Sequence, residues 1–379
     1  MTDDQRRRDA ALRRAAHPER YEHAAKPPAP QSGATARQPA TPAKPAATSP
    51  ASPASASTNG RSADAPKGYR ATVGPPVVPP HPSRVDLHAH SSRSDGILEP
   101  LALVQAAAAA GVQVLALADH DTVSGVRELL APGMAPLPLN LLPAVEINSI
   151  ATGMGDLWEG ELHILGLGVD VSDEDFEAIL AKQRQFRVAR FDRIVDKLHR
   201  LGYPIGDRID QLVAESGAKP GASLGRPQIA RCLVEARFAR NVDDAMQRLL
   251  ARGKPAYVPR EGLGPVEAIS AIRAAGGLPS LAHFADAHER TDLVAELKSH
   301  GLGGLEVHYR HFDSDTVASL AQVARVLSLV QTGGSDYHGD GETYAEAHTA
   351  MYVPDEDATI LYALLGRRGL KIDAGEVAT

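Results

Sequence analysis

From residue 84 onward, short apolar runs alternate with longer amphipathic ones. Residues 84–87 predict a buried strand, 100–110 a helix that stops at Gly111, and 112–118 an apolar strand. Residues 141–147 and 162–168 predict two more strands, and 173–201 a long polar helix. Alternation resumes with a helix over 265–275, a strand over 278–282, a helix over 291–300 and a strand over 304–307. A helix over 315–326 and a strand over 327–332 complete the series. Repeated strand-then-helix units predict an α/β fold with a parallel sheet, and their number predicts a closed barrel. Residues 203–263 break this rhythm. They predict short helices, among them 226–234 and 242–251, and no strand, so they form a helical insertion at one mouth.

Residues 1–84 have a different character. They hold 15 of the 28 prolines, with Ala, Ser and Thr filling most of 27–60. Such a stretch buries too little apolar surface to offset its ordering entropy, which predicts a disordered tail. The expected organisation is a tail over 1–83, a barrel over 84–202 and 264–354, an insertion over 203–263, and a C-terminal helix and tail over 355–379. The net charge of −7 hides a second asymmetry: the tail is basic and the rest acidic. An acidic body argues against a broad nucleic-acid-binding face, whereas the basic stretch over 6–20 could attract an acidic partner or RNA. A single cysteine, Cys232, excludes a disulfide framework and Cys-based zinc modules. No apolar run reaches 18 residues and none follows Arg6-Arg7-Arg8, so neither a membrane span nor a secretory signal is expected, and the cytoplasm is the expected compartment.

The candidate chemistry lies at the strand ends. In Asp86-Leu87-His88-Ala89-His90, residues two apart share a face, which places His88 and His90 about 7 Å apart along the backbone, close enough to share one metal ion. Asp95 follows in the next loop. The second strand ends in Asp119-His120-Asp121, the third in Glu146, and His163 lies within the next. Later strands end in His283, in Glu306 and His308, and in Asp336-Tyr337-His338. Each has a bland alternative: Asp119-His120-Asp121 also reads as a helix cap, and His163 as a satisfied core histidine. Independent accidents would not put six histidines and three carboxylates on one edge, the edge where parallel α/β folds carry their active sites. With no thiolate near, a His/Asp/Glu set suits hydrolytic metal chemistry.

These residues resemble the opening and closing motifs of the PHP (polymerase and histidinol phosphatase) superfamily. The resemblance runs from Asp86-Leu87-His88-Ala89-His90-Ser91 and Ser94-Asp95-Gly96 through Asp119-His120-Asp121-Thr122, Val145-Glu146-Ile147 and His163-Ile164-Leu165-Gly166. It ends in Ala282-His283 and Ser335-Asp336-Tyr337-His338-Gly339, covering about residues 84–340. Ser223-Leu224-Gly225-Arg226-Pro227 and Lys254-Pro255-Ala256-Tyr257-Val258-Pro259 resemble the insertion of the branch that holds bacterial 3′,5′-nucleoside bisphosphate phosphatases and 5′-3′ exoribonucleases. The resemblance implies a distorted (β/α)7 barrel with three divalent metal ions, Mn2+ foremost, with Fe2+ or Zn2+ also suited to such ligands. By motif, His88, His90, Glu146 and Asp336 would hold the first ion, and Asp95, His120 and His338 the second. Glu146, His163 and His283 would hold the third. Asp86, Asp119 and Asp121 would stand behind, orienting imidazoles through their ring N–H groups. The implied nucleophile is a metal-activated hydroxide, with no dedicated protein base.

Charge developing on a phosphoryl group also calls for arginine. The candidates are Arg226, which opens a predicted helix, Arg187 and Arg190 on the long helix, and Arg260; Arg93 is a weaker choice. Arg187 and Arg190 read equally as helix-surface charges. His308 and His311 are candidates for protonating a leaving group or binding substrate. Two departures from the branch pattern stand out: Gln228 replaces the histidine of Gly-Arg-Pro-His, and Phe284 replaces the proline of Ala-His-Pro. The expected substrate is a nucleotide or the 5′ end of a short single-stranded RNA or DNA. The alternatives are a small-molecule phosphatase, such as a histidinol-phosphate phosphatase, and a catalytically silent binding protein.

Overall fold

A computed structural model describes residues 83–151, 154, 160–215, 223–339 and 341–367. The predicted disordered tail, and the end of the C-terminal segment, lie outside the described residues. Seven strands form one sheet in chain order: β1 (Val85–Ala89), β2 (Val114–Leu117), β3 (Asn140–Ile150), β4 (Glu161–Leu167), β5 (Leu278–Leu281), β6 (Gly304–Tyr309) and β7 (Val330–Gly334). The sheet curls until its edges meet, where Asp336 N donates to His88 O (2.7 Å) and His90 N to Tyr337 O (3.0 Å). A side chain at Gly334 would run into His88, so glycine there lets β7 close on β1.

One strand departs from the predicted all-parallel order. β4 runs antiparallel to both β3 and β5. Only ten residues separate β3 from β4, too few for a helical crossover, so the chain turns straight back. This reversal places His163, near the start of β4, at the edge where the other strands end. The last strand also begins later than predicted, at Val330. Residues 327–329 form a turn instead, with Ser328 at φ +49°.

Helices surround the sheet: α1 (Pro100–Ala109), α2 (Ser124–Leu129), α3 (Glu174–Arg200), α4 (Gly206–Glu215), α5 (Arg226–Glu235) and α6 (Val242–Ala245), the last extended by a π turn (Met246–Leu250). Then follow α7 (Pro265–Ala274), α8 (Thr291–Ser299), α9 (Ser314–Val326), α10 (Tyr344–Thr349) and α11 (Asp355–Arg367). The short α2 and α10 carry no clear apolar periodicity and were not predicted. Leu142 and Ala144 on β3 pack with Leu165 and Leu167 on β4 inside the barrel. The alternate residues Val145, Ile147 and Ile164 pack outward on Ile269 and Ile272 of α7.

α3 joins two cores. Its N-terminus is capped by the Asp173 carboxylate, which accepts from Phe176 N (2.9 Å). Phe176 and Leu180 in its first half pack on the barrel. Phe191, Ile194, Val195 and Leu198 in its second half pack with Ile209, Ile229, Leu233 and Leu250 of the insertion. The insertion thus has a core of its own, which also buries Cys232. Among the described residues no helix is long and apolar enough to cross a membrane.

Candidate metal centre

Strand geometry carries the apolar interior into a polar mouth. Leu142, Ala144 and Glu146 share one face of β3, and Leu167, Leu165 and His163 share the facing side of antiparallel β4, so Glu146 and His163 emerge side by side. Glu146 Oε1 lies 2.8 Å from His163 Nδ1 and 3.1 Å from His283 Nε2. Its other oxygen lies 2.7 Å from His120 Nδ1 and 3.4 Å from both His88 Nε2 and His90 Nε2. Asp336 Oδ1 sits 3.3 and 3.1 Å from those same two Nε2 atoms. Asp95 lies 3.2 Å from His338 Nε2 and 3.5 Å from His120 Nε2. All nine residues predicted as ligands are therefore at one place. Donor atoms of eight of them form three groups, each within 4.8 Å: His90, Asp95, His120 and His338; His88, Glu146 and His283; and His88, His90 and Asp336. His88 and His90 thus each reach two groups rather than the single one expected. His88 takes the place expected for His163 beside Glu146 and His283, while His163 contacts Glu146 Oε1 from outside these groups.

The local backbone is bent to achieve this. Asp121, His283 and Asp336 all take positive φ, at +53°, +30° and +47°, and such non-glycine conformations concentrate at functional sites. A side chain at Gly96 would strike the His90 carbonyl, so glycine there lets the Asp95 loop fold back beneath His90.

Two observations show that this donor set fits cations. First, two rings have an acceptor on the side away from the cluster, which favours placing the ring proton there. His88 Nδ1 faces Glu306 Oε1 (3.1 Å), and His338 Nδ1 faces the Asp336 carbonyl (2.9 Å), leaving both Nε2 lone pairs aimed at the cluster. Second, Asp95 Oδ1, His120 Nδ1 and Glu146 Oε2 are buried and close only to other atoms of the cluster, without a well-aligned hydrogen bond, a costly state that a cation would relieve.

The electrostatics carry the same demand for positive charge. Burial opposes ionisation of Glu146, but His120, His163 and His88 hold its carboxyl well below the usual range. Burial likewise opposes ionisation of Asp95 and Asp336, and surrounding imidazoles outweigh it. In return, although burial lowers both imidazoles, Glu146 raises His163 to about 9, and Asp95 with Asp336 raises His338 to about 10. Burial, then His338, pushes His90 down to about 3.

In metal-free protein, protons on His163 and His338 therefore stabilise the fold fully below pH 6.5, and that contribution is lost as pH rises through about 9 and 10. The melting temperature of metal-free protein is expected to fall across this window more than that of protein loaded with a divalent metal, in which these imidazoles would be neutral ligands. Calorimetry on the two forms checks this; identical alkaline slopes would contradict it.

The residues behind the cluster differ from expectation. Asp86, Asp119 and Asp121 do not accept from imidazole N–H groups. Asp86 instead takes Ser335 N (2.9 Å), Ser335 Oγ (2.6 Å) and Tyr344 Oη (2.6 Å), tying β1 to the β7 end and to α10. Asp119 takes Ser91 N and the Ser91 and Ser94 hydroxyls, and burial raises it to about 6 despite them. It reaches His90 only through Ser94, whose Oγ is 3.4 Å from His90 Nδ1. Asp121 pairs with Arg187 Nε (2.5 Å). The carboxylate that does orient an imidazole is Glu306, which also accepts from His283 N (2.7 Å). Its position two residues before His308 on a predicted strand was the available signal.

The cluster forms one side of a cavity of about 230 Å3, and Arg187, Arg226 and Arg260 line the other. Between these arginines lies Glu161, 3.0 Å from Arg260 Nε and 3.9 Å from Arg226. Burial disfavours its charge, but Arg260 and its neighbours hold the carboxyl well below the usual range. Glu161 was not singled out in the sequence, although it lies two residues from His163 on one strand face.

Arg190 sits behind this wall, donating to Val258 O (2.8 Å). Burial, then Arg260, lowers it to about 9. Neither Arg187 nor Arg190 is a helix-surface charge, since both are buried. His311 is exposed and does not line the cavity, and His308 bonds Asp357 Oδ2 (2.9 Å) instead. Arg93 is buried between Glu99 and Glu128. Gln228 is structural: it accepts from Gly225 N (2.8 Å) and donates to Ser94 O (2.6 Å), fastening α5 to the Asp95 loop.

No protein-family model matches the chain. It is 35% identical over 262 residues to a 5′-3′ exoribonuclease of Haemophilus influenzae, covering 67% of this chain and 90% of that one. It is 30% identical over 264 residues to a 3′,5′-nucleoside bisphosphate phosphatase of Chromobacterium violaceum, covering 69% and 89%. The fold is similar, with a TM-score of 0.63 and 27% identity, to a crystal structure from Bifidobacterium adolescentis provisionally assigned as a metal-dependent phosphoesterase, over 77% of this chain and 99% of that one. With a nearly closed seven-stranded barrel, a His/Asp/Glu cluster at its mouth and relatives of this kind, the chain belongs to the PHP metal-dependent phosphoesterases, hydrolases of phosphate esters.

Proposed function

We propose that the chain hydrolyses phosphate esters of nucleotides, either as a 3′,5′-nucleoside bisphosphate phosphatase or as an exonuclease acting on 5′ ends of short RNA or DNA. The observation that carries this reading is a single small cavity with a cation-type ligand set on one wall and arginines on the other. A phosphate ester needs both.

The predicted ligands His88, His90, Asp95, His120, Glu146, His163, His283, Asp336 and His338 would hold the ions, three in number and manganese by preference, with Glu146 shared between groups. Divalent ions supply charge for the phosphoryl oxygens and acidity that activates water at neutral pH. Glu306 and the Asp336 carbonyl fix the rings of His88 and His338 so that their lone pairs face inward. Arg226 and Arg260 present donors to an incoming phosphate, and Glu161 holds them at the wall. Arg187 serves differently. It anchors Asp121 and donates to Asn148, which contacts His163, so it positions the ligand set. Residues 203–263 act as a cap that sets the width of the mouth. At about 230 Å3 the cavity is small for a ligand site and takes one nucleotide unit at a time.

The test supplies purified protein and Mn2+ with adenosine 3′,5′-bisphosphate and, separately, a short 5′-phosphorylated RNA, identifying products by mass. Phosphate release from the bisphosphate alone identifies a nucleotide phosphatase, and stepwise mononucleotide release from the RNA identifies an exonuclease. No reaction on either with Mn2+, Fe2+ or Zn2+ overturns the nucleotide reading.

A further inference from the structure

The cavity has a patch that phosphate chemistry does not use. Its described wall is polar except for Pro227 and Met246, both from the helical insertion. Pro227 is fixed in the first turn of α5. Met246 opens the π turn: its carbonyl accepts from Ala251 N, five residues on (2.8 Å), where an α-helix would use the residue four on. Ala245, Leu249 and Leu250 around it are buried in the insertion's core, and Met246 packs against that core while also facing the cavity. π turns are rare and recur at functional sites. Methionine is flexible and polarizable, and its sulfur packs favourably against flat rings of any outline.

We infer that Met246, with Pro227 beside it, is the surface on which the substrate's nucleobase packs, a contact indifferent to which base is present. This rests on the nucleotide reading above. A nucleotide is polar at the phosphate and flat and apolar-faced at the base, so in a cavity this small the two ends go to opposite kinds of wall. The ion ligands and arginines take the phosphate, which leaves the base to the apolar patch. The other described lining residues from the insertion, Arg226 and Arg260, lie against Glu161, and among the described residues no side-chain amide or hydroxyl from the insertion lines the cavity to read a base edge.

The experiment compares wild type, Met246→Ala and Met246→Gln, all Mn2+-loaded, on adenosine 3′,5′-bisphosphate and on ribose 5-phosphate, which has no base. Met246→Ala is expected to lower the ratio of the two kcat/KM values about five- to tenfold, mostly through KM for the nucleotide. Met246→Gln keeps the side-chain length, so it tests the contact if the alanine variant fails to fold; it is expected to lower the same ratio. A merely structural role would loosen the cap and lower both substrates together, so an unchanged ratio overturns the inference. A wild type that hydrolyses ribose 5-phosphate but no nucleotide overturns the nucleotide reading, and this inference with it.

Discussion

Replacing Glu146 by glutamine is expected to reduce turnover at least about a thousandfold, equivalent to about 4 kcal/mol of lost transition-state stabilisation. The side chain is fully buried, and its two oxygens lie within 3.4 Å of nitrogens from five histidines on β1, β4 and the loops after β1, β2 and β5. An amide has nearly the same shape but no charge, so the substitution removes the anion and little else. Metal content, measured on the same preparation by mass spectrometry, is expected to fall with activity. Full activity with full metal content in Glu146→Gln would show that the cluster is not the reacting centre.

The second large effect concerns stability. Arg187→Met is expected to destabilise the fold by about 3 kcal/mol, because it leaves the buried Asp121 carboxylate with only the more distant Arg260, 4.0 Å away, as a charge partner in a low-dielectric site. Asp121 has no solvent exposure, and Arg187 Nε lies 2.5 Å from its Oδ2. Asp121→Asn alone strands the opposite charge and is expected to cost a similar amount. The double variant has neither charge and is expected to lose clearly less than the sum of the two. Urea unfolding of the three variants measures this coupling. A loss below about 1 kcal/mol for Arg187→Met would place the pair among weakly coupled surface bridges. Turnover is expected to fall as well, through Asn148 and His163 rather than through lost phosphate contact.

Much of the site was legible because strand periodicity is local. His88 and His90 two residues apart, and a polar residue after each apolar run, follow from a pleat that repeats every second residue. The glycine at 111, the proline at 100 and the acidic first turn of α3 mark helix ends through chemistry within a few residues. Other features were not legible. Arg187 and Arg190 lie on a long polar helix, and nothing in its pattern separates a solvated arginine from one held in a buried pair. Gln228 looked like an altered substrate contact, but its amide is consumed by Gly225 and Ser94.

The order of the elements, the ligand-type residues that follow them, and a helical segment interrupting the alternation are all written in local pattern. Each depends on neighbours a few positions away. Tertiary structure decided the direction of β4, which brings His163 to the same mouth as Glu146. It also decided what each charged group touches: Asp86 meets Ser335 across 249 residues, and His88 meets Glu306 across 218. Such pairings arise when a curled sheet closes on itself. Backbone hydrogen bonds and buried-charge neutralisation select them together, and no local pattern of hydrophobic and polar positions encodes that closure.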